Sequence, residues 1–183
     1  MRKKTRIGKT TPVAIEAALR RAQELGVRHV VVASTTGATA LALARHLPCD
    51  IEAVCVTHHV GFREYGVSEL SDTVENKLAE SGIPVLRTTH LFAGVERAVR
   101  LKFGGLGPAE TIACTYRTLG EGVKVAVEIA VMALDAGLIP YGKDIVAVAG
   151  TGTGADTAIV VRPAHSRQFF ETKVREIIIK PRS

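Results

Sequence analysis

The feature that most constrains this sequence is the regular alternation of short β-branched runs with longer amphipathic runs. HVVVA at 29–33 and IVAVA at 145–149 are apolar throughout, which is typical of strands covered by helices on both faces. The longer runs repeat apolar residues at helical spacing, and the first of them stops at Gly26. Strands that alternate with helices favour βα units and a mainly parallel sheet. The pattern therefore predicts a single α/β domain over residues 1–183.

The same periodicities predict the individual elements. We expect helices over 11–25, 38–47, 70–80, 93–102, 108–119 and 122–136, and strands over 29–33, 51–56, 84–87, 145–149, 157–161 and 174–180. The helix over 122–136 is the most apolar and should lie deepest. Because Lys124, Glu128 and Asp135 interrupt it, we interpret it as a buried helix and expect no membrane span.

Charge and composition narrow the classes of partner. The net charge of +6 comes largely from the chain ends, where Arg2, Lys3, Lys4, Arg6, Lys9, Lys180 and Arg182 lie. There is no Trp, and the other aromatic residues are scattered, whereas a nucleic-acid surface usually interleaves aromatics with a basic stripe. We therefore expect no nucleic-acid partner and a basic surface that either favours small anionic metabolites or simply aids solubility. A homo-oligomer is the default expectation for the assembly.

Cysteine usage and the N-terminus bear on the compartment. Cys49, Cys55 and Cys114 are far apart and form no CxxC pair, which predicts neither a disulfide framework nor a zinc site. The basic N-terminus is not followed by the apolar region of a secretory signal. These features favour a reducing, cytoplasmic location.

The first candidate ligand site is a threonine-rich loop between a predicted strand and helix. This threonine loop (residues 34–40) consists of Ser34, Thr35, Thr36, Gly37, Ala38, Thr39 and Ala40. Hydroxyls and the free N–H groups of the following helix can bind a phosphate, and Gly37 would let the backbone approach it. On this interpretation, Gly37→Val should abolish binding and leave the fold largely intact. The alternative is an ordinary helix cap, where Ser and Thr are common.

The second candidate is a glycine-rich loop after the strand over 145–149. This glycine loop (residues 150–157) consists of Gly150, Thr151, Gly152, Thr153, Gly154, Ala155, Asp156 and Thr157. It does not match the G-x-G-x-x-G dinucleotide fingerprint, because the sequence returns at once to a strand and not to a helix. We interpret it as a bare loop that a flat ring or a phosphate can approach. A glycine hairpin with no ligand is the alternative.

Histidines at predicted strand ends form the third candidate. Thr57, His58, Gly61 and Phe62 follow the second strand, and His90 follows the third. We predict either ligand contact or proton transfer by His58 or His90, with purely structural roles as the alternative.

A metal site formed by histidines is not favoured. His58, His59, His90 and His165 all follow strands and could meet at one sheet edge. However, the chain lacks ligand spacings such as H-x-x-x-H or H-E-x-x-H. We predict no metal site.

Glu128 is a carboxylate within an otherwise apolar helical segment, VAVEIAVM at 125–132. A buried carboxylate must be paired, hydrogen-bonded or protonated. Glu128 can therefore be a ligand-facing acid with a raised pKa, or an internal partner of Arg97 or Lys124.

Part of the chain resembles the C-terminal domain of pyruvate kinase. In that domain a loop of type T-x-S-G-x-S-A holds a phosphate of the sugar bisphosphate effector, and Ala38 stands where a basic residue is usual. The resemblance covers about 30 residues: VVVA at 30–33, STTGATA at 34–40, ARHLP at 44–48, AV at 53–54 and Thr57.

The whole chain is similar to a family of stand-alone proteins, from archaea and bacteria, that resemble this pyruvate kinase domain. The resemblance implies a three-layer α/β/α sandwich with a mixed, mainly parallel sheet. It implies flavin mononucleotide (FMN) as cofactor, since members have been seen with FMN bound, and it does not imply kinase activity. The residues that carry it are ELG at 24–26, His58 with GF at 61–62, GVER at 94–97, VEI at 127–129 with MA at 132–133, GADTA at 154–158, RPAH at 162–165, FF at 169–170 and EII at 176–178.

Two functions are consistent with these features. The chain can bind FMN or a related phosphorylated molecule as a sensor or carrier. Alternatively, it can be an FMN-dependent oxidoreductase in which His58 or His90 transfers protons. No catalytic residue is assigned from the sequence.

Overall fold

The computed structural model describes residues 8–182, so the basic residues Arg2, Lys3, Lys4 and Arg6 lie outside the described range. The helices are α1 (Thr11–Leu25), α2 (Ala38–Ala44), α3 (Asp72–Glu80), α4 (Gly94–Phe103), α5 (Pro108–Arg117) and α6 (Glu121–Asp135). The strands are β1 (His29–Ala33), β2 (Glu52–Thr57), β3 (Val85–Arg87), β4 (Ile145–Ala149), β5 (Thr157–Arg162) and β6 (Lys173–Ile179). A short 3₁₀ helix, Ser166–Glu171, links β5 to β6.

Each predicted element is present, with shifts at the ends. The largest shift is in α2, which ends at Ala44 and not at residue 47. His46 N–H bonds to the carbonyl of Leu43, which closes a turn before Pro48. Proline disfavours the helical conformation of the residue before it, so the helix stops early.

The six strands form one sheet in the order β3-β2-β1-β4-β5-β6. β3, β2, β1 and β4 run parallel to one another, whereas β5 is antiparallel to both β4 and β6. The reversal at β5 follows from the short loop before it, because a parallel return would need a long crossover. The predicted mixed, mainly parallel sheet is confirmed.

Helices cover both faces of the sheet. Val30 and Val32 of β1 point into a cluster with α1, α2 and α3, while Val31 points into a second cluster with α5 and α6. This alternation is the two-residue period of a strand buried on both faces, and it confirms the predicted α/β/α layering. α6 is the most deeply buried helix, as its apolar sequence predicts.

Two further findings concern the cysteines and the helix lengths. Cys49, Cys55 and Cys114 are free thiols, and Cys55 is buried in β2. Within residues 8–182, no helix combines the length and the apolar character needed to span a bilayer.

The sheet brings the candidate loops to one edge. β1, β2 and β4 run parallel, so the loops that follow them leave from the same edge. The start of α6 also reaches this edge, because Gly122 has no side chain. A Cβ there would overlap the side chain of Thr157 on β5.

Candidate functional site

A cleft at the carboxyl edge of the sheet consists of two adjoining chambers. The outer chamber has a volume of about 410 Å³, and the inner chamber about 180 Å³. Both are lined by Ala33, Ser34, Thr35, His58, Glu121 and Val125. The outer chamber is also lined by Thr36, Ala38, Thr39, Arg63, Glu69, Gly150, Gly152, Thr153 and Gly154. The inner chamber is also lined by Val56, Thr57, Phe62, His90, Arg97, Arg117, Lys124, Glu128, Ile129 and Met132.

The threonine loop forms one wall of the outer chamber. The hydroxyls of Thr36 and Thr39 face no hydrogen-bond partner among residues 8–182, although Thr39 is only 5% exposed. Ser34 has a different role, since its Oγ accepts hydrogen bonds from the N–H groups of Thr39 at 3.1 Å and Ala40 at 3.3 Å. Ser34 therefore caps α2 internally, and the threonine hydroxyls are the groups left for a ligand.

Gly37 and Ala40 lie outside the lining of the cleft. Gly37 has φ +81°, and a Cβ on it would overlap Val74 and lie 2.8 Å from Leu70 Cδ1. The expectation that Gly37→Val leaves the fold largely intact is therefore wrong, because Gly37 packs against the α3 side of the molecule. Ala40 is fully buried in the core under α2.

The glycine loop forms the facing wall. A Cβ on Gly150 would overlap the Gly154 carbonyl oxygen, and one on Gly154 would overlap Thr11 Oγ1. These two glycines therefore allow the loop to close on itself and on α1. Gly152 differs, because a Cβ there would meet no atom of residues 8–182 within 4 Å. Its bare backbone faces the outer chamber.

The remaining loop residues hold this wall in place. Asp156 accepts hydrogen bonds from Thr151 N–H at 3.0 Å and from the Thr157 hydroxyl at 2.7 Å. Ala155 N–H donates to Thr11 Oγ1 at 2.9 Å. Thr151, Asp156 and Thr157 do not line either chamber, so their observed contacts stabilise the loop itself.

His58 is one of two titratable residues, with Glu121, that line both chambers. Its Nδ1 lies 2.6 Å from Glu69 Oε2, and its Nε2 lies 3.5 Å from Thr35 Oγ1. Because a carboxylate only accepts hydrogen bonds, Nδ1 carries the proton, and Nε2 of a neutral ring keeps its lone pair toward Thr35. Arg63 pairs with the other oxygen of Glu69 at 3.0 Å. The arrangement fixes the orientation of the imidazole at the cleft.

An aromatic cluster surrounds His58. The ring centroids of His58 and Phe62 are 3.9 Å apart, and those of His58 and His90 are 5.2 Å apart. Burial lowers the pKa of His90 to about 4, with smaller contributions from neighbouring charged and imidazole groups. His90 is therefore neutral at pH 7. Thr57 is buried and donates to the Thr35 carbonyl at 2.8 Å, which ties β2 to the threonine loop, while Gly61 lies outside the lining.

Glu128 is a member of a buried ion pair. Its Oε2 lies 2.5 Å from Lys124 Nζ, and its Oε1 accepts the Phe92 N–H at 2.9 Å. The two side chains are 6% and 9% exposed, for Glu128 and Lys124 respectively. Lys124 is one of the two internal partners that the sequence allowed, and the pair faces the inner chamber.

The histidines do not all meet at one edge. His165 follows β5, whose antiparallel direction places it at the opposite edge, where it pairs with Asp135 at 2.9 Å. The idea that four histidines share an edge is therefore wrong. Among residues 8–182, no group of three or more His, Cys, Asp and Glu side chains is arranged to hold a metal ion.

Several charged residues that line the cleft are not predicted as site residues from the sequence: Arg63, Glu69, Arg97, Arg117, Glu121 and Lys124. The i,i+4 spacing of Arg117 with Glu121 is a signal that could have found that pair, which is 2.7 Å apart. Glu69 gave no such signal, since it lies 11 residues from His58 on an irregular loop.

A family model for the pyruvate kinase alpha/beta domain matches residues 13–161, which is most of the chain. The chain belongs to this family. The match spans the sheet from before β1 to β5 and includes both loops of the cleft.

Solved structures similar to this pyruvate kinase alpha/beta domain include two of Cryptosporidium parvum pyruvate kinase. One is 15% identical, with a TM-score of 0.47, and the match covers 85% of this chain and 23% of that chain. The other, in complex with ADP, is 13% identical, with a TM-score of 0.45, and the match covers 87% of this chain and 25% of that chain. The chain thus corresponds to about a quarter of the length of these enzymes.

Proposed function

We propose that this chain binds FMN, or a related phosphorylated small molecule, in the outer chamber and acts as a sensor or carrier of that ligand. The observation that carries the proposal is the pairing of two walls, one with unpartnered threonine hydroxyls and one with bare glycine backbone. The choice of FMN among phosphorylated ligands rests on the sequence resemblance described above.

The residues of the outer chamber fit such a ligand. Its volume of about 410 Å³ is within the usual range for small-molecule sites. Thr36 and Thr39 supply hydroxyl donors suited to phosphate oxygens. Gly152, with open space where a side chain would stand, leaves room for a flat ring.

The charged side chains around the outer chamber form ion pairs of opposite sign. Arg63 is paired with Glu69, and Glu121 is paired with Arg117. A phosphate would therefore be held mainly by hydroxyl and backbone N–H groups. We accordingly expect recognition of shape and hydrogen bonding rather than strong electrostatic attraction.

FMN titration of the purified chain tests the proposal. We expect FMN to bind with quenching of its fluorescence, and riboflavin, which lacks the phosphate, to bind at least tenfold more weakly, a difference of about 1.4 kcal/mol. Thr36→Val and Thr39→Val should each weaken FMN binding by about tenfold through a lost charge-assisted hydrogen bond.

Thr73→Val is the matched control for these variants. Thr73 is exposed on α3, lies outside the cleft, and its hydroxyl has no partner among residues 8–182. Its loss should leave FMN affinity unchanged. Equal affinities for FMN and riboflavin, or equal affinities in all three valine variants, would contradict a phosphate site in this loop.

An FMN-dependent oxidoreductase is the second candidate function, and the contact between His58 and Glu69 favours it. When bound, FMN would supply electron transfer. The chain itself would supply His58, whose Nε2 faces the cleft and can accept or return a proton. Anaerobic mixing of the FMN complex with candidate electron donors tests this alternative, because a pure carrier leaves the flavin oxidised.

A further inference from the structure

The inner chamber is smaller than the outer one and differs in chemistry. Its volume of about 180 Å³ is that of about six water molecules in the liquid. This is below the usual size of a site for a drug-sized ligand, and the space by itself suits a compact molecule. The chamber opens beside the outer one, and the two share Thr35 and His58.

The charged groups of the inner chamber leave one positive charge without an acidic partner. Arg117 pairs with Glu121 at 2.7 Å, and Lys124 pairs with Glu128. Arg97 has no acidic partner among residues 8–182 and instead lies with its guanidinium carbon 5.9 Å from the centroid of the Phe62 ring.

The buried ammonium of Lys124 adds unused donors. Of its three N–H groups, one has an acceptor among residues 8–182, namely Glu128. The side chain is only 9% exposed and lines the chamber. Burial of an ion pair carries a desolvation cost, which a ligand that accepts the remaining donors would offset in part.

Two imidazoles, those of His58 and His90, also line the inner chamber. His90 is neutral because burial lowers its pKa to about 4. His58 Nδ1 lies 2.6 Å from Glu69 Oε2, and the other oxygen of that carboxylate pairs with Arg63. The rest of the lining is partly polar, with Ser34, Thr35 and Thr57, and partly apolar, with Val56, Ile129 and Met132.

We propose that the inner chamber binds a small monocarboxylate. Its carboxylate would pair with Arg97, whose planar fork matches the two oxygens, and would accept from Lys124. Its short carbon chain would contact Ile129 and Met132. A phosphate dianion fits less well, because Glu121 and Glu128 also face the chamber and only one cation is unpaired. The proposal concerns this chamber alone and does not depend on FMN binding.

Butyrate and its uncharged analogue butyramide are the probes. Titration of the purified chain at pH 7, followed by NMR of the His58 and His90 imidazoles, should show saturable shifts with butyrate. Butyramide should bind at least tenfold more weakly, because it brings no charge to Arg97. Equal affinity for the two compounds, or no saturable shift with butyrate, would overturn the proposal.

Arg97→Gln and Arg100→Gln form a matched pair of variants. Both residues lie on α4, which buries none of its side chains, so neither change should unfold the chain. Arg100 pairs with Glu110 and does not line the chamber. Arg97→Gln should weaken butyrate binding at least tenfold, whereas Arg100→Gln should leave it within about twofold. Equal losses in both variants would overturn the proposal.

Repeating the titration with saturating FMN separates this inference from the proposed function. Retained butyrate binding supports a separate inner site. Displacement of butyrate by FMN would overturn it, because the flavin would then fill the inner chamber. Failure of FMN to bind, with butyrate still selected over butyramide, would remove the proposed function and support this one.

Discussion

Gly37 in the threonine loop and Gly152 in the glycine loop have nearly the same backbone conformation and opposite surroundings. Their φ angles are +81° and +84°, both in the left-handed region that favours glycine. A Cβ on Gly37 would overlap Val74, whereas a Cβ on Gly152 would meet no atom within 4 Å in the described part of the chain. Gly37 is therefore needed for packing, while Gly152 leaves open space in the cleft.

The comparison shows that the two loops contribute to the cleft in different ways. In the threonine loop, Gly37 packs against Val74 and the Ser34 hydroxyl caps α2, so the hydroxyls of Thr36 and Thr39 are left for a ligand. In the glycine loop, Gly150 and Gly154 fix the ends, and the middle is bare. A positive φ at a loop glycine thus does not by itself indicate ligand approach.

The largest effect is expected from Gly37→Val. Overlap with Val74 and Leu70, added to strain at positive φ, should lower the free energy of unfolding by about 3 kcal/mol or more. Denaturant unfolding measures this change. Gly82→Val is the matched control, because Gly82 has φ +72° and no atom within 4 Å of its Cβ position. Equal losses in the two variants would mean that packing on α3 is not what selects Gly37.

An intermediate effect is expected from Ser34→Ala. The change leaves the N–H groups of Thr39 and Ala40 without their acceptor and should lower the free energy of unfolding by about 1–2 kcal/mol. Thermal unfolding of this variant beside Thr36→Val gives the comparison, since the Thr36 hydroxyl has no partner within residues 8–182. If Thr36→Val destabilises the fold as much as Ser34→Ala, the inward and outward roles within the loop are assigned wrongly.

The smallest effect on stability is expected from Gly152→Val, which adds backbone strain of about 1 kcal/mol and no overlap with residues 8–182. If FMN binds as proposed, its affinity should nevertheless fall at least tenfold, because the side chain would fill the space that the proposal assigns to the ring. Gly82→Val should lose similar stability and keep its affinity. Retained FMN affinity in Gly152→Val would identify the glycine loop as a simple hairpin.

Much of the cleft could be predicted from local sequence. Loops that follow buried strands in βα units meet at one edge, so the threonine and glycine loops were placed together without a structure. The direction in which each residue faces was not predictable in this way. Gly37 looked like a ligand-approach glycine, yet the residue that excludes its side chain, Val74, belongs to the next helix in the sequence.

Ion pairs between residues far apart in the sequence could not be predicted for a related reason. Lys124 and Glu128 are one helical turn apart, and this spacing made the pair a candidate. His58 and Glu69 are brought together by an irregular loop, for which the sequence supplies no periodicity. His165 was assigned to the wrong edge because the direction of β5 depends on the hairpin before it.

The sequence by itself determined the alternation of strands and helices, the two-sided burial of the sheet and the loops that meet at its edge. These depend on short-range periodicity and on turn residues, which each segment carries independently. Only the tertiary structure decided which side of each loop faces the cleft, which carboxylate orients His58 and which cation is left unpaired. Those outcomes depend on contacts between segments far apart in the chain. In such contacts the packing of side chains and the pairing of charges determine each other.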